Sequence, residues 1–175
     1  MNEDLKYAFS NVNDWLKFAE SKNAALFALN IASIIGLLQI DKNISPFWPS
    51  LRGVLVLLFS LSATICVVSI IPRVTALIKD DDKMPDAKFV AAKKDLNFLF
   101  FEHITKLSTT QFFELFKSKL PGLSLSSADE DLANQIVNNA KIASAKYRMF
   151  GWASWLTVTG FIFTIAGVII LAFAK

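Results

Sequence analysis

The amino-acid sequence predicts an all-α membrane protein with three transmembrane helices and a small, mainly helical cytoplasmic region between the second and the third. Three apolar stretches, residues 23–40, 51–71 and 152–174, support this prediction, and Arg52 is the only full charge within them. A stretch of about 18 apolar residues crosses the ~30 Å hydrocarbon core of a bilayer as a helix, which satisfies its own backbone hydrogen bonds there. As core helices of a water-soluble protein, the same stretches would leave too little polar surface to cover them in a chain of 175 residues.

The composition limits the classes of partner and chemistry. Hydrophobic residues make up 54% of the chain, which leaves room for a small membrane bundle and one modest polar region. The 18 Lys and Arg residues are interleaved with 15 Asp and Glu residues, so a nucleic-acid polymer is not an expected partner. The single cysteine, Cys66, lies within an apolar stretch and cannot form an internal disulfide.

The positive charges of the loops orient the chain, because short loops rich in Lys and Arg stay in the cytoplasm. They place the N-terminus and residues 72–150 inside, and residues 41–50 and the C-terminus outside. Trp152 and Trp155 would then mark the inner interface of the third span. The positive charges that flank the spans on the inner side are Lys6, Lys17, Lys22, Arg73, Lys79, Lys83, Lys88, Lys141, Lys146 and Arg148, whereas those on the outer side are Lys42, Arg52 and Lys175.

Residues 1–22 are expected to form an amphipathic helix with one apolar stripe. No Pro or Gly separates this arm from the first span, so one helix should begin near the start of the chain and run into the membrane. The stripe would lie on the membrane surface or pack against the cytoplasmic region, and we favour packing. Its members are Leu5, Ala8, Phe9, Val12, Trp15, Leu16 and Ala19.

Residues 23–71 are expected to form a transmembrane hairpin with a tight turn at 45–49. Asn30 lies in the middle of the first span, where a buried amide needs a hydrogen-bond partner on a neighbouring helix. A pore-lining role is the alternative for this residue. Small residues fall four apart on the same span and permit close helix contacts, within the chain or between subunits; they are Ala24, Ala28, Ala32 and Gly36.

Residues 72–150 are polar and contain two expected helix starts. Ser108–Gln111 fits a capping box before a helix over 109–120, and Ser127–Glu130 fits a second one. After the second box no Gly or Pro appears before Gly151, so a single helix is expected to continue into the third span, residues 151–175. The acidic run at 80–82 is interpreted as a solvated bend rather than a metal site, because no other ligands accompany it.

The residue types needed for familiar catalytic sites are scarce. One His and one Cys give poor support to a metal centre or a Cys–His pair, and no Gly-rich phosphate loop is present. His103 beside Glu102 is the alternative acid–base pair, but adjacent residues point in different directions on a helix or strand. We therefore expect a protein that is not an enzyme and that needs no metal or cofactor.

Segments at 100–104, 111–114, 131–136 and 146–148 come in an order and spacing that resemble one known family. They read Phe-Phe-Glu-His-Ile, Gln-Phe-Phe-Glu, Asp-Leu-Ala-Asn-Gln-Ile and Lys-Tyr-Arg, the last leading into the final span. The opening at 13–24 is similar to that of the same family, with an acidic residue and a Lys before the first span. The chain resembles the transmembrane effectors of Pycsar antiphage systems over nearly its whole length.

This resemblance implies an antiphage defence effector of the bacterial inner membrane. A neighbouring cyclase would make cyclic UMP or cyclic CMP during infection, and the effector would sense the nucleotide and impair the membrane, so that the cell dies before the phage spreads. Sensing would fall to residues 72–150. We also expect a homo-oligomer, because a ligand that changes helix packing acts best where subunits or helices meet.

A cyclic mononucleotide presents one phosphate charge and one flat base, so its site needs cationic donors and an aromatic platform. For each single candidate, core packing or a solvated surface is the alternative role. Rival functions for the whole chain are a structural or scaffolding membrane protein without a ligand, and a membrane enzyme that uses His103. The candidates are Arg73, Lys93, Lys94, Lys146 and Arg148 for phosphate, Phe100, Phe101 and Tyr147 for stacking, and His103, Gln135 and Asn139 for the base edge.

Overall fold

The structure, a computed structural model, describes residues 2–40, 45–71, 84–120 and 126–173. These residues form helices joined by turns, with no strand among them. The candidate Arg73 and the acidic run at 80–82 lie outside the described residues. The helices are α1 (Glu3–Gln39), α2 (Trp48–Ile70), α3 (Asp86–Ala92), α4 (Phe101–Ile104), α5 (Thr109–Lys119) and α6 (Ser127–Phe173).

Three of these helices, α1, α2 and α6, are long and apolar enough to cross a membrane. This confirms the predicted all-α fold class with three transmembrane helices. The two predicted continuous helices are also confirmed, since α1 has 37 residues and α6 has 47 without interruption. Neither sequence contains a Pro, the residue that breaks a helix most effectively.

The chain divides into two compact units. Residues 1–19 and 72–147 form one, here called the polar unit, and residues 20–71 and 148–175 form the other, here called the spanning unit. The chain passes from one unit to the other within α1 and again within α6, with no break in either helix.

The core of the polar unit is built from α1, α3, α4, α5 and α6. Leu5, Ala8 and Val12 of α1 are fully buried, so the apolar stripe of the N-terminal arm packs inside this unit. Spacings of three and four residues place such side chains on one helical face. The other fully buried residues of this core are Ile104, Leu107, Phe112, Leu115, Phe116, Ala133, Ile136, Ala140 and Ala143.

Two caps fix the starts of α5 and α6. The predicted capping box at Ser108 and Gln111 is confirmed, because each side chain bonds the other residue's backbone N–H at 3.1 Å. The predicted box at Ser127–Glu130 is wrong by one residue. Ser126 is the capping position, and its backbone N–H and hydroxyl donate to the carboxylate of Asp129 at 2.9 and 2.7 Å. The shorter Asp side chain reaches back to this position, so Ser127 becomes the first helical residue.

Asp129 also ties the start of α1 to the start of α6. Its second carboxylate oxygen accepts a hydrogen bond from the backbone N–H of Asn2 at 2.8 Å. The backbone N–H groups of Ser126 and Asn2 and then the Ser126 hydroxyl hold the pKa of this carboxyl at about 2, below its ordinary 3.8. The ionised carboxylate therefore stabilises the polar unit.

Glycines permit close packing of α2 and α6 in the spanning unit. Gly160 is buried, and a Cβ added there would lie 2.8 Å from the ring of Phe59. Phe59 is itself 1% exposed and packs edge-on against Phe161 with ring centroids 5.3 Å apart. Small residues at helix contacts let backbones approach closely in lipid, where packing replaces the hydrophobic effect as the driving force.

A buried polar network joins α1, α2 and α6 in the spanning unit. The Asn30 amide Nδ2 donates to the hydroxyl of Ser62 at 2.9 Å, and the Thr157 hydroxyl donates to Asn30 Oδ1 at 2.9 Å. All three side chains are at most 3% exposed. The expectation that Asn30 bonds to a neighbouring helix is confirmed.

Replacing Gly160 by Ala should destabilise the spanning unit by about 1–3 kcal/mol, because the added methyl overpacks against the buried ring of Phe59. Thermal unfolding in detergent, followed by circular dichroism, measures this effect. Gly151→Ala on the same helix is the matched control, since nothing lies within 4 Å of its added Cβ. Equal unfolding temperatures for both variants would contradict the packing described for Gly160.

Replacing Asp129 by Asn should lower stability at neutral pH and abolish part of the acid sensitivity. The folded-state pKa is depressed, so the stabilisation is complete above about 3.8 and disappears as the pH falls towards about 2. Unfolding midpoints in a non-ionic detergent should therefore differ between wild type and variant at pH 7 and converge near pH 2. A difference that stays constant between pH 7 and pH 2 would show that the Asp129 charge is not responsible.

Candidate ligand site

Phe101 lies at the centre of an aromatic group in the polar unit. Its ring stacks on Tyr147 of α6 with centroids 5.2 Å apart and planes 21° apart. Trp15 of α1 contacts the same ring with centroids 5.3 Å apart, and Trp15 and Tyr147 contact each other at 6.4 Å. One buried ring of the short helix α4 thus touches both long helices, α1 and α6.

Trp15 and Tyr147 lie close to the points at which α1 and α6 leave the polar unit. The α1 segment of the polar unit ends at Ala19, and Tyr147 is the last α6 residue of this unit. Phe101 therefore packs against the last turns of both helices before they leave the polar unit. Burial raises the pKa of the Tyr147 phenol, so this ring is neutral at physiological pH.

The half-buried rings of Phe100 and His103 contact each other beside this aromatic group, and the surface that they form is here called the edge. Their rings are T-shaped with centroids 5.1 Å apart, and Phe100 also contacts the edge of Phe101 at 5.4 Å. The backbone N–H of Asn97 donates to His103 Nδ1 at 3.0 Å. A ring nitrogen that accepts this bond carries no proton, so the N–H of the imidazole is at Nε2, where it can act as a donor.

The segment that precedes this edge is fixed in place by two asparagines. The side-chain amide of Asn11 on α1 donates to the carbonyl of Leu99. The side-chain oxygen of Asn97 accepts from the Leu99 backbone N–H at 2.8 Å. These bonds hold residues 97–100 against α1, so Phe100 is positioned by backbone contacts as well as by ring packing.

Two of the three lysine candidates, Lys93 and Lys94, lie in the turn after α3. The Lys93 ammonium lies 5.5 Å from the ring centroid of Phe89. Lys94 is exposed, and its carbonyl accepts a hydrogen bond from the ammonium of Lys119 at 2.9 Å. The chain thus brings three ammonium-bearing residues to the ends of α3 and α5.

The amide candidates lie apart from the aromatic ones. Gln135 is exposed on α6, and the Asn139 amide donates to Asn13 Oδ1 on α1 at 2.8 Å. Asn13 and Trp15 are two residues apart, which separates them by about 160° around a helix of 3.6 residues per turn. The amide pair and the aromatic group therefore flank α1 on different sides and do not form one pocket.

Lys146 and Arg148 also differ in their surroundings. Lys146 is 3% exposed, so its side chain is part of the interior rather than a surface donor. Arg148 is exposed, but it belongs to the spanning unit rather than the polar unit. Of the predicted candidates, the structure brings together Phe100, Phe101, His103 and Tyr147.

Sequence reasoning did not single out Trp15 or Asn97 as site residues. Trp15 looked like one member of an apolar stripe, and Asn97 like one polar residue in an aromatic segment. No local signal pairs Trp15 with Phe101, because the two are distant in sequence and meet only when α4 docks. Within the described ranges, no group of three His, Cys, Asp or Glu residues is placed to hold a metal ion.

Comparison with known proteins supports the resemblance found in the sequence. Residues 4–173 match the family model PycTM, described as the Pycsar effector protein domain. No curated protein and no solved structure matches the chain. The family match spans both units.

Replacing Phe101 by Leu should lower the stability of the polar unit by about 1–3 kcal/mol, since ring contacts are worth roughly 0.5–1.5 kcal/mol each. Chemical denaturation in detergent micelles measures the change. Phe100→Leu is the matched control, because this half-buried ring contacts Phe101 and His103 of its own segment. A larger loss in the control would mean that the ring of Phe101 does not hold the long helices together.

Proposed function

This chain belongs to the Pycsar effector protein domain family, and from that membership we propose how it acts as an antiphage defence effector. It senses a cyclic pyrimidine mononucleotide, cyclic UMP or cyclic CMP, and impairs the integrity of the bacterial inner membrane. The infected cell then dies before the phage spreads. The family match over residues 4–173, together with three helices able to cross a membrane, supports this proposal.

The nucleotide binds to the polar unit at the edge formed by Phe100 and His103. The half-buried ring of Phe100 gives the flat base a stacking surface, and His103 Nε2–H donates to a carbonyl oxygen of the base. Lys93 and Lys94, in the turn before this segment, supply positive charge for the phosphate. Uracil and cytosine both carry a carbonyl at position 2, so a hydrogen bond from His103 Nε2–H does not by itself distinguish the two bases.

The aromatic group around Phe101 connects the ligand to the membrane segments. Binding at Phe100 and His103 acts on α4, whose Phe101 contacts Trp15 and Tyr147 where α1 and α6 leave the polar unit. Both helices continue without a break into apolar segments. A ligand shifts such an equilibrium only by its different affinity for the two states, so this contact must differ between the resting and active forms.

The orientation follows from where the nucleotide is made. A neighbouring cyclase releases it in the cytoplasm, so the polar unit lies on that side, in agreement with the positive charges of the loops. Trp152 and Trp155 are 62% and 74% exposed, as expected for side chains at the inner interface of the bilayer. The effector acts as a homo-oligomer in which α1 and α6 change their packing.

The proposal is tested with purified protein in liposomes of bacterial phospholipids loaded with a self-quenched dye. Cyclic UMP or cyclic CMP should increase dye release, whereas cyclic AMP at the same concentration should not. Isothermal titration of the protein in detergent with each nucleotide measures binding separately from leakage. Equal dye release with and without the pyrimidine nucleotides would refute the proposal.

Phe100→Leu should weaken nucleotide binding by about 5–150-fold, because a base–aromatic stack is worth roughly 1–3 kcal/mol. His103→Gln should also weaken binding, since Gln places its amide differently from the imidazole Nε2–H. Phe113→Leu is the matched control: Phe113 is a half-buried ring of the same unit that contacts Lys117 rather than His103. An unchanged Kd for Phe100→Leu, or an equal loss for Phe113→Leu, would place the base elsewhere.

A further inference from the structure

We propose that the buried network of Asn30, Ser62 and Thr157 holds the spanning unit closed and forms the polar lining of a path for water and small ions when the helices separate. The inference deepens the proposed function, because it names the part of the membrane segment on which opening depends. It rests on the geometry of the network, which involves no residue of the ligand site.

Each polar hydrogen of the network can be assigned to an acceptor of its own. One N–H of the Asn30 side-chain amide donates to the backbone carbonyl of Leu26 at 2.9 Å, and the other donates to Ser62 Oγ at 2.9 Å. A carbonyl oxygen can only accept, which identifies the amide atom facing Leu26 as the nitrogen. The Ser62 hydroxyl donates to the carbonyl of Ala153 at 2.8 Å. The Thr157 hydroxyl lies 2.9 Å from Asn30 Oδ1 and from Ser62 Oγ, and 3.0 Å from the carbonyl oxygen of Ala153 in its own helix. Because the Ala153 carbonyl already accepts from Ser62, we assign the Thr157 proton to Asn30 Oδ1, for which the described residues offer no other donor.

The completeness of the network makes separation of the helices costly in lipid. Hydrocarbon offers no hydrogen-bond partner, so a change that parts α1 from α2 or α6 leaves Asn30 unsatisfied unless water enters. The closed arrangement is thus favoured by bonds that only these three helices supply together. An open arrangement must be hydrated at this level of the bundle.

Polar residues recur on the same interior face two turns away. Asn23 on α1 and Ser69 on α2 each lie seven residues from the network, and both are fully buried. Because Asn30 and Ser62 pair and α1 and α2 are consecutive in a hairpin, this spacing brings Asn23 and Ser69 to one level. The Ser69 hydroxyl has no hydrogen-bond partner among the described residues. A hydrated path would therefore continue along polar side chains.

Other hydroxyls of the spanning helices have a different role. Ser33, Thr64 and Thr164 each donate to a carbonyl four residues earlier in their own helix, at 2.8–2.9 Å. They satisfy themselves locally and place no demand on a neighbouring helix. Thr164 is therefore a control residue on the same helix as Thr157.

The test measures basal leakage without any nucleotide, in liposomes that contain a pH-sensitive dye and a proton gradient. Thr157→Val removes a hydroxyl at nearly constant volume and leaves Asn30 Oδ1 unpaired, so proton leakage should rise several-fold. Thr164→Val, which removes only a bond within α6, should leak like wild type. Equal leakage of these two variants would overturn the closing role. Ser62→Ala gives the same comparison if Thr157→Val does not fold.

The triple variant Asn30→Leu, Ser62→Ala, Thr157→Val tests the lining role. It removes every side-chain polar group of the network, so no unpaired group remains to draw in water, and leakage should return to the wild-type level. If the triple variant leaks as much as Thr157→Val, loose packing rather than hydration causes the leak, and the lining role is wrong. Failure of the nucleotide to open the wild-type protein would refute the proposed function and leave these ligand-free results unchanged.

Discussion

Hydrocarbon cannot form hydrogen bonds, and this constraint governs the membrane part of the protein. It requires helices, because only they satisfy the backbone within one segment, and it requires that polar side chains find partners inside the bundle. Asn30 meets this requirement through Ser62 and Thr157 on two other helices. Gly160 lets the helices approach closely enough for such contacts. Packing and hydrogen bonding in the spanning unit therefore depend on each other.

The polar unit follows different rules, since water is its solvent and apolar burial stabilises it. Its core includes the apolar stripe of the N-terminal arm, so α1 contributes residues to both units. The ring of Phe101 packs against Trp15 and Tyr147 near the ends of this unit. In the proposed mechanism, the short helix α4 presents His103 to the nucleotide and Phe101 to the two long helices, and it thereby converts binding into a change in both. The proposed mechanism depends on that arrangement.

Local sequence patterns predicted local features well. The cap at Ser108 and the uninterrupted helices followed from side-chain chemistry within a few residues. The cap of α6 was displaced by one residue because Asp129, rather than Glu130, reaches the capping position. The candidate site was predicted in part: the aromatic candidates meet, but Asn139 bonds to Asn13 on another side of α1. Residue type indicated which groups suit a nucleotide, but it did not indicate which of them converge.

The sequence by itself determined the solvent of each segment and hence the three spanning helices, because the length and the lack of charge of an apolar stretch decide whether it lies in lipid. It also required that Asn30 find a partner. Only the tertiary structure decided that the partners are Ser62 and Thr157, and that Trp15 meets Phe101. These pairs come from distant parts of the chain, and their contact depends on how helices rotate and dock, which no spacing within one helix specifies.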